Sequence, residues 1–248
     1  IIELIEKDDM PKYLLFLENA FPYMDNYNYH KGMKGIIQEL KVLLKTKSIG
    51  TNSDRALLLD FQATLETKPE KAIKLEKDAL AQIENITADN ARLVSNLHAN
   101  LGGLYRMNGY PDLAREHMEK SISLLDQFNL LHINDSIPQI ANYAMFLTEQ
   151  QEPERGISEL QKLSGIIKEY HSDDCLDYAK VQETLGTIYL MTANLPQAKT
   201  HFKRAFKIYE KIWADEPEMI EAKYQEIQEL YPQIGFCIGK KLSGLLTK

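Results

Sequence analysis

The chain has 248 residues, of which 44% are hydrophobic and 26% charged, an ordinary balance for a folded domain, and its formal net charge is -7. A chain this long can form one or two compact domains or a stacked array of repeats, and the acidic balance argues against a nucleic-acid-binding region, which is normally basic. No apolar run reaches the length of a membrane span, and Cys175 and Cys237, far apart and without a CxxC pair, read as two reduced thiols of a cytoplasmic protein rather than a disulfide or a metal site. The opening at Ile1 carries neither a signal nor a transit peptide, and the expectation is a fragment of a longer protein.

Taken in chain order, KYLLFLENAFPYM predicts a helix closed by Pro22, and HKGMKGIIQELKVLLK predicts a second. Residues 1–52 therefore read as a degenerate repeat or a helical cap. From Ser95 to Phe128 the pattern sharpens. Leu101, Gly102 and Tyr105 share one face of a predicted helix, Asn108-Gly109 breaks it, and Ala114, Met118, Ser121 and Ile122 share a face of the next. Moved forward by 84 residues, the same slots hold Leu185, Gly186, Tyr189, Ala198, Phe202, Ala205 and Phe206. Half that step, 42, lands on Tyr143, Ala144, Leu147, Gly156 and Leu160, and one step back gives Leu59, Asp60, Ala63, Ala72 and Leu80.

The prolines check this spacing independently. Pro69, Pro111 and Pro153 recur every 42 residues, each where a second helix should start. Proline suits the first helical position, because the N–H it lacks would have no intrahelical partner there. In the last clear repeat Leu195 takes that slot and Pro196 follows. Ser53-Asp54, Asp89-Asn90, Asp135-Ser136 and Asp173-Asp174 read as N-caps of the first helices. No segment alternates with period two, so no strands are predicted. Residues 218–231 predict a last first-type helix with Tyr231 in the tyrosine slot, Pro232 interrupts, IGFCIGKKLSGLLTK reads as a short capping helix, and a homodimer could form through 218–248.

This Leu-Gly, Tyr, Gly, Ala pattern resembles the tetratricopeptide repeat (TPR). The common form of that repeat has about 34 residues. The longer unit of 42 is similar to the repeats of kinesin light chains and of bacterial regulatory TPR proteins. The resemblance implies an all-α fold, a right-handed alpha-alpha superhelix of about five to six helix pairs. Its array would span 53–217, with repeats starting near 53, 95, 137 and 179, between a degenerate 1–52 and a capping 218–248. It further implies that the first helix of each pair lines a concave groove. The residue before the Leu-Gly pair would face that groove: Asn100, and Asn142 one period later. A side-chain amide both donates and accepts, and so can grip the backbone of an extended peptide of any sequence. Asn96, Arg106, Lys180 and Glu183 are expected on the same face, where Arg106 and Lys180 could attract acidic groups.

Nothing in the sequence announces catalysis. There is no phosphate-binding loop, HExxH or GxSxG, and Gly102-Gly103 is expected inside a helix for close packing. The six histidines show no metal-ligand spacing, and His171, Asp173, Asp174 and Cys175 are read as a loop end and helix cap. Trp213 either plugs a gap or lies exposed. Lys199, Lys203, Arg204, Lys207 and Lys211 are read as a solvated helix face. The expected function is a non-catalytic module, without cofactor or metal, that binds a protein or peptide and neither membrane nor nucleic acid. The alternative is the peptide-sensing part of a larger bacterial transcriptional or signalling regulator, and an enzyme is the least favoured reading.

Overall fold

The computed structural model describes scattered positions between 13 and 24, and residues 29–46, 51–132 and 136–230. Among the described residues every regular element is an α-helix: α1 (His30–Thr46), α2 (Asn52–Thr64), α3 (Pro69–Leu80), α4 (Ala91–Met107), α5 (Pro111–Gln127), α6 (Ser136–Glu149), α7 (Pro153–Tyr170), α8 (Leu176–Met191), α9 (Leu195–Ile212) and α10 (Pro217–Leu230). The predicted second helices begin on Pro69, Pro111, Pro153 and Leu195, one period apart. The chain divides into two compact units, Ile1–Leu130 and Leu131–Lys248. The expected capping helix after Pro232 and the tyrosine slot at Tyr231 lie outside the described residues, as does the 231–248 part of the expected dimer contact.

In the first unit α2 pairs with α3 and α4 with α5, while α4 also packs on α3 and α2. Under α2 lies an apolar cluster that includes Leu17 and Phe21 from the N-terminal segment, Met33 and Leu40 from α1, Phe61 from α2 and Leu97 from α4. Phe21 stacks on Phe61 with ring centroids 3.9 Å apart, so Phe21 is part of this core. In the second unit α6 pairs with α7 and α8 with α9, and the first helices α6 and α8 also touch. Leu147, Leu160, Val181, Ile188 and Phe202 are essentially sealed from solvent there.

The small residues act as the sequence pattern requires. A methyl group on Gly102 would lie 2.6 Å from Met118 of α5, and one on Gly186 2.9 Å from Phe202 of α9. Gly103 faces open space, so only the first glycine of that pair serves close packing. The middle pair inverts the arrangement. Ala144 occupies the glycine slot of α6, and Gly156 of α7 gives up its methyl opposite it, where a Cβ would sit 2.6 Å from the Ala144 carbonyl.

Two caps differ from expectation. Thr51 rather than Ser53 caps α2: its hydroxyl accepts from Asp54 N–H at 3.2 Å, and the Asp54 carboxylate accepts from Thr51 N–H at 2.6 Å. Asp54 is thus the returning member of a capping box. At α8 the cap is the Cys175 sulfur, which accepts from Tyr178 N–H at 3.4 Å. Asn90 does precede α4, but its side-chain oxygen turns back to Thr87 N–H at 2.8 Å.

The turn inside each repeat is also periodic. Gly109, Gln151 and Ala193, each 42 residues apart, adopt φ of 76°, 65° and 59°. The next residue closes the helix end, with Tyr110 N–H to Tyr105 C=O at 3.0 Å, Glu152 to Leu147 at 2.8 Å and Asn194 to Tyr189 at 2.7 Å. This helix end needs a left-handed residue, which a Cβ makes costly. Ala193→Gly is therefore expected to stabilise the second unit by about 1 kcal/mol, a rise of about 4 °C in thermal midpoint. A midpoint unchanged or lowered by calorimetry would contradict this reading of the turn.

Candidate functional site

The residues expected to line a recognition face fall on α4 in the first unit and on α6 and α8 in the second. On α4, Asn96 and Arg106 are half-buried and Asn100 is exposed. Asn100 is already engaged: its amide donates to the Asp60 carboxylate at 2.8 Å and to Glu76 at 3.2 Å. On α6 Asn142 is exposed, and on the neighbouring α8 the exposed Lys180 lies 3.7 Å from Asp177. Glu183 instead turns toward the end of the unit. It accepts from the Tyr209 hydroxyl at 2.6 Å and from the Lys223 ammonium of α10 at 3.1 Å. Burial works against the Lys223 cation, but Glu183 and Glu226 outweigh it and raise its pKa. Burial, reinforced by the Glu183 charge, raises the Tyr209 phenol as well.

Asp60 and Glu76 were not expected as a pair. Glu76 is only 2% exposed, and its second carboxylate oxygen is buried without a hydrogen-bond partner. Burial is the main force raising both groups, Asp60 to about 6 and Glu76 to about 10; the Asp60 charge adds to the Glu76 shift, and Asn100 pulls both back. A signal for the pair exists in the sequence. Asp60 lies one period before the packing glycine Gly102, and Glu76 lies one period before Met118 and in line with Leu160 and Phe202.

A histidine pair also emerges between α4 and α5. His98 Nδ1 and His117 Nδ1 are 2.9 Å apart, beside a cleft of about 390 Å³ lined by Glu116, Glu119, Lys120 and Ser123. Burial, helped by His117 and Lys120, lowers His98 to about 4; burial also lowers His117, against the opposing charge of Glu116. Two periods later the same slots hold Gln182 and His201, bonded at 2.9 Å. His117 lies against Tyr105, and His201 stacks on Tyr189 with centroids 5.2 Å apart. The recurrence explains the imidazoles as partners within helix pairs. Reading histidine spacing along single helices missed them, because each contact joins two helices.

The other polar residues singled out in the sequence have structural contacts. His171 donates from Nε2 to the His132 carbonyl at 3.2 Å, Asp174 pairs with Lys211, and Cys175 caps α8. Among the described residues no group of three or more His, Cys, Asp or Glu is placed to hold a metal. Trp213 ends α9 and stacks on Tyr209 with centroids 4.8 Å apart. Lys203, Arg204, Lys207 and Lys211 are exposed along α9, as a solvated face requires. No helix among the described residues is long and apolar enough to cross a membrane.

Antiparallel helix pairs with a fixed period, small residues at the crossings and left-handed helix ends define an α-helical repeat protein. Residues 136–211 match the tetratricopeptide repeat family. The fold is shared with crystal structures of BtubC (BKLC) from P. vanneervenii, at 16% identity and a TM-score of 0.60 over 96% of this chain and 92% of that one. It is shared too with a candidate kinesin light chain of Podosopora anserina with nearly identical TPR-like repeats, at 13% identity and a TM-score of 0.59 over 79% and 96%. Residues 136–211 are thus tetratricopeptide repeats, and the chain as a whole shares the fold of these repeat structures. No curated protein sequence matches it significantly.

Proposed function

We propose that the chain is a protein- or peptide-recognition scaffold whose first helices carry the contact face. One observation supports this most: α6 and α8 lie side by side and leave Asn142 and Lys180 exposed on adjacent first helices. Repeat proteins of this construction present an extended surface rather than an enclosed pocket. An exposed amide at Asn142 suits the peptide backbone, and the Lys180 ammonium suits an acidic side chain or a chain terminus. The Lys180–Asp177 contact is solvent-exposed and costs little to exchange for a partner's carboxylate. Asn100 and Glu183 already have partners within the fold, so they act as supports of that face rather than as its first contacts.

The test is quantitative binding. A partner is captured from lysate on the full chain, identified by mass spectrometry and titrated against wild type and Asn142→Ala/Lys180→Ala. Loss of at least about tenfold in affinity, with an unchanged thermal midpoint, is the expected result. Equal affinity in the two proteins would remove the first-helix face of the second unit from the interface.

A further inference from the structure

The chain contains its own control for an unusual substitution. In the α4–α5 and α8–α9 pairs the close crossing sets a glycine against a large apolar side chain, Gly102 on Met118 and Gly186 on Phe202. In the α2–α3 pair the same two slots hold Asp60 and Glu76. Two carboxyl groups in contact, Glu76 buried and Asp60 half-buried, cannot both ionise cheaply, because like charges in a poorly solvated site repel and each also loses hydration. One proton shared by the two carboxyls, which lie within hydrogen-bonding reach of each other, resolves this. One Glu76 oxygen accepts from Asn100, and the other is buried without a hydrogen-bond partner.

Among the described residues, few groups act on the pair. From α2 the titratable group is Asp60, from α3 it is Glu76, and α4 contributes the neutral amide of Asn100 to both. The side chains that α1 sends beneath α2 are apolar, Met33, Ile37 and Leu40 among them. Lys77, next to Glu76, holds its ammonium over the Tyr105 ring, 5.5 Å from the centroid.

We propose that Asp60, Glu76 and Asn100 form a proton-operated latch that closes the α2–α3 crossing and joins it to α4, and that loosens when the shared proton is lost. The direction follows from linkage. Both carboxyls are raised above their ordinary values in the folded chain, so the stability they contribute is complete in mild acid and declines as pH rises. The latch thus opposes the usual acid sensitivity of carboxylates. Each pH unit between roughly 6 and 9 multiplies the local opening constant by up to about tenfold, one proton being released per opening.

The test is hydrogen exchange of the full chain, read by mass spectrometry at pH 6 to 9 and corrected for the intrinsic rate. Protection over α2–α3 should fall by about tenfold per pH unit, while α8–α9, which carries Gly186 and Phe202 in the same slots, should hold its protection. Glu76→Gln keeps the shape and imitates the protonated acid, and it should flatten the pH response of α2–α3. Asp60→Asn leaves the burial of Glu76, the larger cause, in place and should only weaken the response; Glu76→Met serves if Glu76→Gln does not fold. A response absent from the wild type, or one that persists in the Glu76 variants, overturns the latch.

Discussion

Asp60→Gly combined with Glu76→Met is expected to raise the thermal midpoint of the first unit by about 10 °C at pH 7, roughly 3 kcal/mol. The pair would restore at α2–α3 the side chains that the α4–α5 crossing already uses at Gly102 and Met118. The gain has an identifiable source. Unfolded Glu76 is ionised at neutral pH and must take up a proton to be buried; its value of about 10 in the fold makes that uptake worth about 3 kcal/mol. A buried Met side chain adds apolar burial of the order of 2 kcal/mol, offset by about 1 kcal/mol for glycine inside a helix and by the lost carboxyl contacts. Asn100 is exposed and can return its amide to water. Differential scanning calorimetry at pH 7 and pH 5 checks both size and sign: the gain should shrink at pH 5, where wild-type Glu76 needs little help to protonate. A midpoint that falls at pH 7 would show that the carboxyl pair is worth more than the apolar crossing it replaces.

Gly156→Ala is expected to cost the second unit about 2–3 kcal/mol, whereas Gly103→Ala should stabilise the first by up to about 1 kcal/mol. Both glycines lie inside helices, and helix propensity alone would favour alanine at each. Packing separates them. At Gly156 the added carbon would lie 2.6 Å from the Ala144 carbonyl oxygen, a backbone atom of the facing helix that cannot swing aside. At Gly103 nothing lies within 4 Å. Chemical denaturation of the two single variants checks the contrast, and a stabilising Gly156→Ala would show that α6 and α7 have room to separate. The double variant Ala144→Gly/Gly156→Ala should recover little of the loss, because Ala144→Gly leaves the backbone carbonyl in place.

Each of these contrasts rests on the 42-residue spacing, and much of the fold was legible from it. Pro69, Pro111 and Pro153 marked the starts of α3, α5 and α7 to the residue, because a ring that fixes φ and removes an N–H is tolerated best at a helix's first position. Gly102, Tyr105 and Ala114 marked one helix pair, because close approach of two helices restricts residue size at the crossing whatever surrounds it. The caps were less legible. Ser53-Asp54 and Thr51 are all competent caps by type, and only the backbone path chose Thr51. At α8 the cysteine sulfur took a role for which two aspartates stood one and two residues away.

The candidate site was read less completely. Asn100 and Asn142 occupy the same slot of successive repeats, and sequence treats them alike. The structure separates them, since Asn100 meets two carboxyl groups brought from 40 and 24 residues away while Asn142 stands exposed. Glu183 likewise exchanges a place on the recognition face for contacts with Tyr209 and Lys223.

By itself, then, the sequence determined the class of element, the period, the helix starts and the positions that must stay small. All of these depend on the chain's own backbone and on spacing along one helix. Only the tertiary structure decided which polar side chains are already satisfied, and that Asp60 and Glu76 confront each other. A charge's cost is set by what lies within a few ångströms of it in space, and in stacked helix pairs those neighbours come from other helices.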